Sequence, residues 1–289
     1  MRFRWDWLRP VVSAPYVPTI GPVHPSVLTE DLFTDTLIAA STDRWFLRYD
    51  KDIRWSDSKD ESVLVEDVVH GPGETLIPTL SERGAGTIKV HLYGVGAEST
   101  FAATELAQKL AAEHGAGKAR IVRFLGPEAL HGRGTRIQLQ DFRAAVRAAP
   151  DGPVRPFSEW PKGVRDTFAE FASEMAADGF AFLYGQMQAG TVGPVLTVAV
   201  GGEVSGAIGP MEIRPDAIGT PQLMPQYFGV RQDHRGQGLG RLLWRAAMHW
   251  GQANGAAYQL LQTEVGGASD RLCRAEGLTS LGFTYWQSA

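Results

Sequence analysis

A mixed α/β fold in two regions is what this sequence predicts, on three observations. In the first half, strand-like runs rich in β-branched and aromatic residues are followed by one clear helical face and a return to strand character. In the second half, a Gly201-Gly202 pair separates two strand-like runs. Further on, an apolar strand passes through a glycine-rich turn into a long amphipathic helix. At 289 residues the chain is longer than one core usually supports, so two domains is the prior, and a hydrophobic share of 44% is ordinary for a globular protein.

Residues 1–40 carry Pro10, Pro15, Pro18, Pro22 and Pro25 with no sustained period, and read as an irregular arm. Strands are expected at 45–49, 62–69 and 87–93. Between 99 and 114, Ala103, Leu106, Ala107, Leu110 and Ala111 share one helical face, and Gly115 ends the helix. With the strand expected at 119–124 this makes a β-α-β unit. The Ala-Ala-Pro-Asp-Gly-Pro run at 148–153 is the best linker, so the arm precedes an α/β domain of 41–150 and a second domain of 151–289.

The second domain opens on a helix marked by Val164, Phe168, Phe171 and Met175, stopped by Gly179. Strands at 195–200, 204–213 and 222–230 then form an antiparallel meander. Leu239, Leu243, Ala246, Ala247 and Trp250 mark the buried face of the helix after the glycine turn, which ends near Asn254-Gly255. A strand at 257–265, a helix at 268–275 and a last strand at 283–286 complete the order α, β, β, β, loop, α, β, α, β.

Composition excludes several classes. Cys273 is the single cysteine, which forbids an intrachain disulfide and a multi-cysteine metal site, and no metal is expected. A net charge of -4, from 28 basic and 32 acidic residues, argues against nucleic acid as a partner. No apolar run approaches the roughly 20 residues that span a bilayer, and the first residues lack the apolar core of a secretory signal. A cytoplasmic protein without a membrane partner is expected.

The chemistry is concentrated at Arg235-Gly236-Gln237-Gly238-Leu239-Gly240. Glycines between a strand and a helix start let an anion approach main-chain amides, the helix dipole adds attraction, and Arg235 adds a full charge. An antiparallel approach and the missing GxGxxG speak against a dinucleotide site. These residues resemble the GNAT superfamily of acyl-CoA-dependent N-acyltransferases, whose signature of Arg or Gln, two residues, Gly, one residue, then Gly or Ala is met by Arg235, Gly238 and Gly240. Phe228-Gly229-Val230 stands where the family's splayed strand bonds the pantetheine arm, Leu242-Leu243 continues the helix as in family members, and Leu281-Gly282-Phe283 looks like its last junction. The resemblance is strong over 222–286 and looser back to 154.

It implies a GNAT-like mixed sheet flanked by helices and acetyl-CoA, or a related acyl-CoA, as co-substrate. Phe228, Gly229, Val230, Arg235, Gly236, Gln237, Gly238, Leu239, Gly240 and Arg241 would hold it. The acceptor would be a primary amine of a small molecule or peptide. Main-chain amides near Val230 would serve the oxyanion. Two side chains that family members use are replaced, the Glu base by Met224 and the thiolate-protonating Tyr by Leu278. Tyr227 and Glu212 are the leading substitutes by position, with Glu264 and Tyr285 behind them. Cys273 reads as a core residue, Trp244 and Trp250 as packing, and His234 as either a phosphate contact or a solvated side chain. The first half is compatible with a degenerate second GNAT-like unit, although its Gly94-Val95-Gly96 turn has no basic residue nearby. That region would shape the acceptor pocket or a homodimer contact. The missing Glu and Tyr keep open a silent acyl-CoA sensor or scaffold, and a transferase of longer acyl chains is a further alternative.

Overall fold

A computed structural model describes residues 3–41, 47, 49–56, 59–129, 133–144 and 148–289. Most of the strand expected at 45–49 lies outside them. The chain forms two compact units, one of Met1–Leu139, Asp216–Ile218 and Leu260–Ala289, the other of Gln140–Pro215 and Gly219–Gln259.

In the first unit the proline-rich start, expected to be irregular, carries helical segments. A helical turn at Trp5–Leu8 precedes α1, Glu30–Ser41. The Thr29 hydroxyl accepts from the Leu32 amide at 3.3 Å, and Glu30 and Asp31 in the first turn suit the helix dipole. Prolines punctuate this stretch, but Phe3, Leu8, Val17, Phe33 and Leu37 bury themselves in one cluster with Tyr93, and that burial holds it.

The sheet of this unit comprises β1 (Glu61–Val63), β2 (Glu74–Ser81), β3 (Thr87–Gly94), β4 (Lys118–Leu125) and β5 (Thr135–Asp141), with α2 (Ala97–Glu113) joining β3 to β4. The expected β-α-β unit is present, since β3 and β4 are parallel. The strand expected at 62–69 is broken instead into β1, a 3-10 turn at Val65–Asp67 and a short strand at Val69–Gly71. β2, which carries Pro78, is the central partner of these pieces. The Pro78 carbonyl faces them, accepting from Leu64 at 2.9 Å, and opposite its ring lies the turn, where no ladder donor is missed. The C-terminal strand, Thr279–Ser288, inserts between β4 and β5, antiparallel to both.

The second unit starts with α3 (Lys162–Asp166) and α4 (Phe168–Glu174) in place of one continuous helix. At the break, the Thr167 hydroxyl donates to the Val164 carbonyl and accepts from the Val204 amide, at 2.7 and 2.9 Å. After Gly179, at φ +85°, the chain adds α5 (Phe180–Gln188), whose Phe180 and Leu183 join Phe168, Phe171 and Met175 in the core. β6 (Leu196–Val200) and β7 (Glu203–Gly209) form the expected hairpin, with both Gly201 and Gly202 at positive φ.

The expected strand at 222–230 is split. After β8 (Ile213–Pro215), β9 (Pro221–Leu223) pairs with β8, whereas β10 (Tyr227–Val230) pairs with β7. Met224-Pro225-Gln226 makes the break, because Pro225 cannot continue a ladder. The buried Gln259 amide pins it, donating to Gln226 Oε1 at 2.7 Å. α6 (Leu239–Ala253) follows, then β11 (Tyr258–Glu264), whose first residues run parallel to β9. With the short strands β8, β9 and Val69–Gly71 left aside, β6, β7, β10, α6 and β11 follow the order of β1, β2, β3, α2 and β4, an order compatible with a degenerate second unit, although β3 pairs with β4 and β10 does not pair with β11. Among the described residues no helix is long and apolar enough to cross a membrane.

Candidate functional site

β10 is the edge strand of its four-stranded sheet. Tyr227 lies opposite Gly209 and Gly229 opposite Ala207, and the Arg231 amide donates to the Ser205 carbonyl at 2.9 Å. Because ladder groups alternate along an antiparallel strand, Tyr227, Gly229 and Arg231 bond inward to β7. Phe228 and Val230 therefore turn their amides and carbonyls outward along the free edge. The Val230 carbonyl is taken by Arg235 Nε at 3.0 Å.

Side chains alternate as well. Phe228 and Val230 lie on the face of α6, where a methyl group at Gly240 would touch Phe228 at 3.5 Å and Val230 at 3.8 Å. Gly229 faces the opposite helices. A Cβ there would come within 2.7 Å of Met175 and 2.8 Å of Phe180, so this glycine is required by packing. Tyr227 lies on that second face, its ring over Gly179 and 6.4 and 6.3 Å from the rings of Phe180 and Phe182.

After a 3-10 turn at Gln232–His234 the chain enters the glycine loop. Gly236 and Gly238 have φ of +80° and +84°, and a Cβ on either would meet no atom within 4 Å. Exposed turns such as Gly201-Gly202 show the same open space and positive φ, so what sets this loop apart is the long helix that starts from it and the flanking Arg235 and Arg241. Gly238 caps α6 without a side-chain bond, so no capping side chain covers the start of that helix. Arg235, Gly236, Gln237, Gly238 and Arg241 are exposed, whereas Leu239 is buried and anchors the helix start. Gln237 bonds the Asp233 carbonyl at 3.2 Å. Arg231 is withdrawn from this surface by ion pairs with Glu174 and Glu203 at 3.1 and 3.2 Å.

Glu212 lies outside any strand, its carboxylate 2.5 Å from Arg214 Nε and its carbonyl accepting from the Met224 amide. Met224 and Leu278 are buried, as apolar replacements should be. Glu264 is exposed. Tyr285 is buried in the first unit with the Arg133 guanidinium 3.9 Å from its ring. Cys273 is buried, and burial pushes its thiol up to about 12, against a role as nucleophile. Trp244 is buried on α6. Missed by sequence reasoning were Phe182 and the inward Gln226–Gln259 pair that fixes the strand break. The Met-Pro-Gln run was the available signal.

The equivalent turn of the first unit also caps its helix with a glycine at positive φ, Gly96 at +108°, but its backbone is extended where that of Gly238 is left-handed, and its first helical turn carries Glu98 and no basic residue. That combination repels phosphate.

Residues 159–274 match the model of the acetyltransferase (GNAT) family, a span that contains β10, the glycine loop and all of α6. No curated protein matches the sequence. Among solved structures, the chain is similar to a GCN5-related N-acetyltransferase from Sphaerobacter thermophilus, at 16% identity over 81% of this chain and 82% of that one, with a TM-score of 0.48. It is similar to a tandem GNAT protein from the clavulanic acid biosynthesis pathway, at 14% identity, 89% and 94% coverage and a TM-score of 0.45. A GCN5-related N-acetyltransferase from Kribbella flavida follows at 14% identity, 78% and 90% coverage and a TM-score of 0.43. At such identities and scores, the functional reading rests on the family match and on the site itself.

Proposed function

With residues 159–274 matching the GNAT acetyltransferase family, we propose that this chain transfers an acyl group, acetyl in the first instance, from acyl-CoA to a primary amine. The observation that carries the reading is the glycine loop, where Gly236 and Gly238 leave open space at the start of α6. The diphosphate would rest on the main-chain amides there, with Arg235 and Arg241 beside it. The pantetheine arm would add to the free edge of β10 at the outward amide and carbonyl of Phe228, as another strand would.

Transfer forms an N–C bond and breaks a C–S bond, so a proton must leave the amine and one must reach the sulfur. The outward Val230 amide would bond the acyl oxygen as charge develops there, a service that needs no side chain. Tyr227 and Glu212 remain the proposed proton carriers. Glu212 would have to exchange its bond to Arg214 for one to the amine.

That same ion pair favours a second reading, an acyl-CoA-binding module that turns nothing over. Thiol release separates the two. On mixing with acetyl-CoA and a panel of primary amines, a transferase liberates free CoA only in the presence of an accepted amine. Saturable binding with no amine-dependent thiol would support the sensor, and no binding would end both readings.

A further inference from the structure

The first unit contains a cavity of about 290 Å³ that the transferase reading does not use. Its walls carry Asp52, Asp60 and Glu61 together with Lys59, Arg83 and Lys89, so the formal charge of these six is zero. Most of these charges are matched within the wall. Lys89 Nζ is 2.8 Å from Glu61 Oε2, while the other Glu61 oxygen accepts from Thr79 Oγ1 at 2.6 Å. Burial opposes charge on Glu61, but the Lys89 ammonium and the bonds from Lys89 and Thr79 hold its carboxyl below the usual range. Arg83 bonds Asp60. Asp52 is the least committed, with a side chain 48% exposed and Lys51 at 3.4 Å.

Two further features mark the cavity as built. Thr19, on its wall, is the one non-glycine residue at positive φ among those described, at 65°. For a β-branched residue that is a true outlier, and such strain survives where surrounding bonds hold it. The bonds are visible, because the Thr19 carbonyl accepts from Lys59 Nζ at 2.8 Å and Lys59 is in turn paired with the buried Asp50. Trp55 adds an aromatic surface to the same wall.

We propose that this cavity binds a small zwitterion of the free α-amino acid class, with its ammonium on Asp52 and Asp60 and its carboxylate on Lys89 and Arg83. A net anion would face three carboxylates and a net cation three basic groups. A sugar would gain only bonds in which one partner is neutral. An ammonium and a carboxylate on one small molecule answer both signs with charge-assisted bonds. The volume lies near the lower limit of small-molecule sites, about 300 Å³, which suits one amino acid and not a nucleotide.

The inference uses no residue of the glycine loop and stands apart from the transferase reading. It is tested by calorimetric titration of the full chain with L-alanine, L-glutamate and L-lysine, beside propionate, L-alanine methyl ester and D-glucose. At least one amino acid should bind saturably at one site, with the propionate and ester probes weaker by about tenfold or more. Asp52→Asn, which leaves the Glu61 and Asp60 pairs intact, should weaken that binding about tenfold while the melting temperature holds. Absence of binding by all three amino acids would overturn the proposal. So would equal binding of glucose, propionate or the ester, or an Asp52→Asn variant that binds as the wild type does.

Discussion

Gly238→Asp separates the loop's ligand from its structure. The backbone at Gly238 is left-handed at φ +84°, so any side chain costs about 1–2 kcal/mol there, and Asp lies at the low end because it tolerates that region. Nothing within 4 Å would clash with the new Cβ, so the fold should survive with its melting temperature lowered by a few degrees at most. The ligand would fare differently. A carboxylate about 4 Å from a phosphate at an effective dielectric of about 20 is repelled by about 4 kcal/mol. Solvent at this exposed loop reduces that, and about 2 kcal/mol, roughly thirtyfold in affinity, is a conservative expectation. Gly240→Ala is the control. Its methyl would make ordinary contacts with Phe228 and Val230, so the variant should be as stable as the wild type and still bind. Calorimetry with acetyl-CoA on the three proteins reads the effect, and a Gly238→Asp variant that binds normally would refute the assignment of the loop.

Other consequences concern the frame that holds the site. Gly229→Ala forces Met175 and Phe180 to move from 2.7 and 2.8 Å, an overpacking worth about 1–3 kcal/mol that a lowered urea midpoint would reveal. Buried His91 is held neutral, with burial depressing its pKa from 6.5 to about 4. The unfolded chain therefore binds the extra proton, and stability should fall by up to about 3 kcal/mol as pH drops from 6.5 to 4; denaturation of His91→Gln should lose that dependence. Deletion of Leu260–Ala289 removes the strand between β4 and β5, and should leave the first unit open to proteolysis and without native near-UV circular dichroism.

Local signals were legible where one chain segment suffices. The glycine spacing at 235–240, the apolar face of α6 and the Gly201-Gly202 hairpin each act through their own backbone preferences, and each element stands where the sequence places it. What escaped depends on partners far away in the chain. β2 is not among the expected strands, and its Pro78 is tolerated because the turn opposite it removes the need for an N–H there. The arm's prolines concealed a helix whose apolar residues bury against Tyr93. α5, with Phe180, Phe182, Leu183 and Tyr184, has little amphipathic contrast to read. The break of 222–230 has one cue, Pro225, but neither the ladder that each half joins nor the place of the last strand beside β4 has a signature in composition or period.

Amide hydrogen exchange across β10 and the loop, with and without acetyl-CoA, tests the central claim most directly. Bound acyl-CoA should slow exchange at the outward amides of Phe228 and Val230 and at the amides from Gly236 to Leu239, while the inward amides of Tyr227 and Gly229 change little. Unchanged exchange at those outward and loop amides, under acetyl-CoA concentrations that saturate any calorimetric signal, would contradict it.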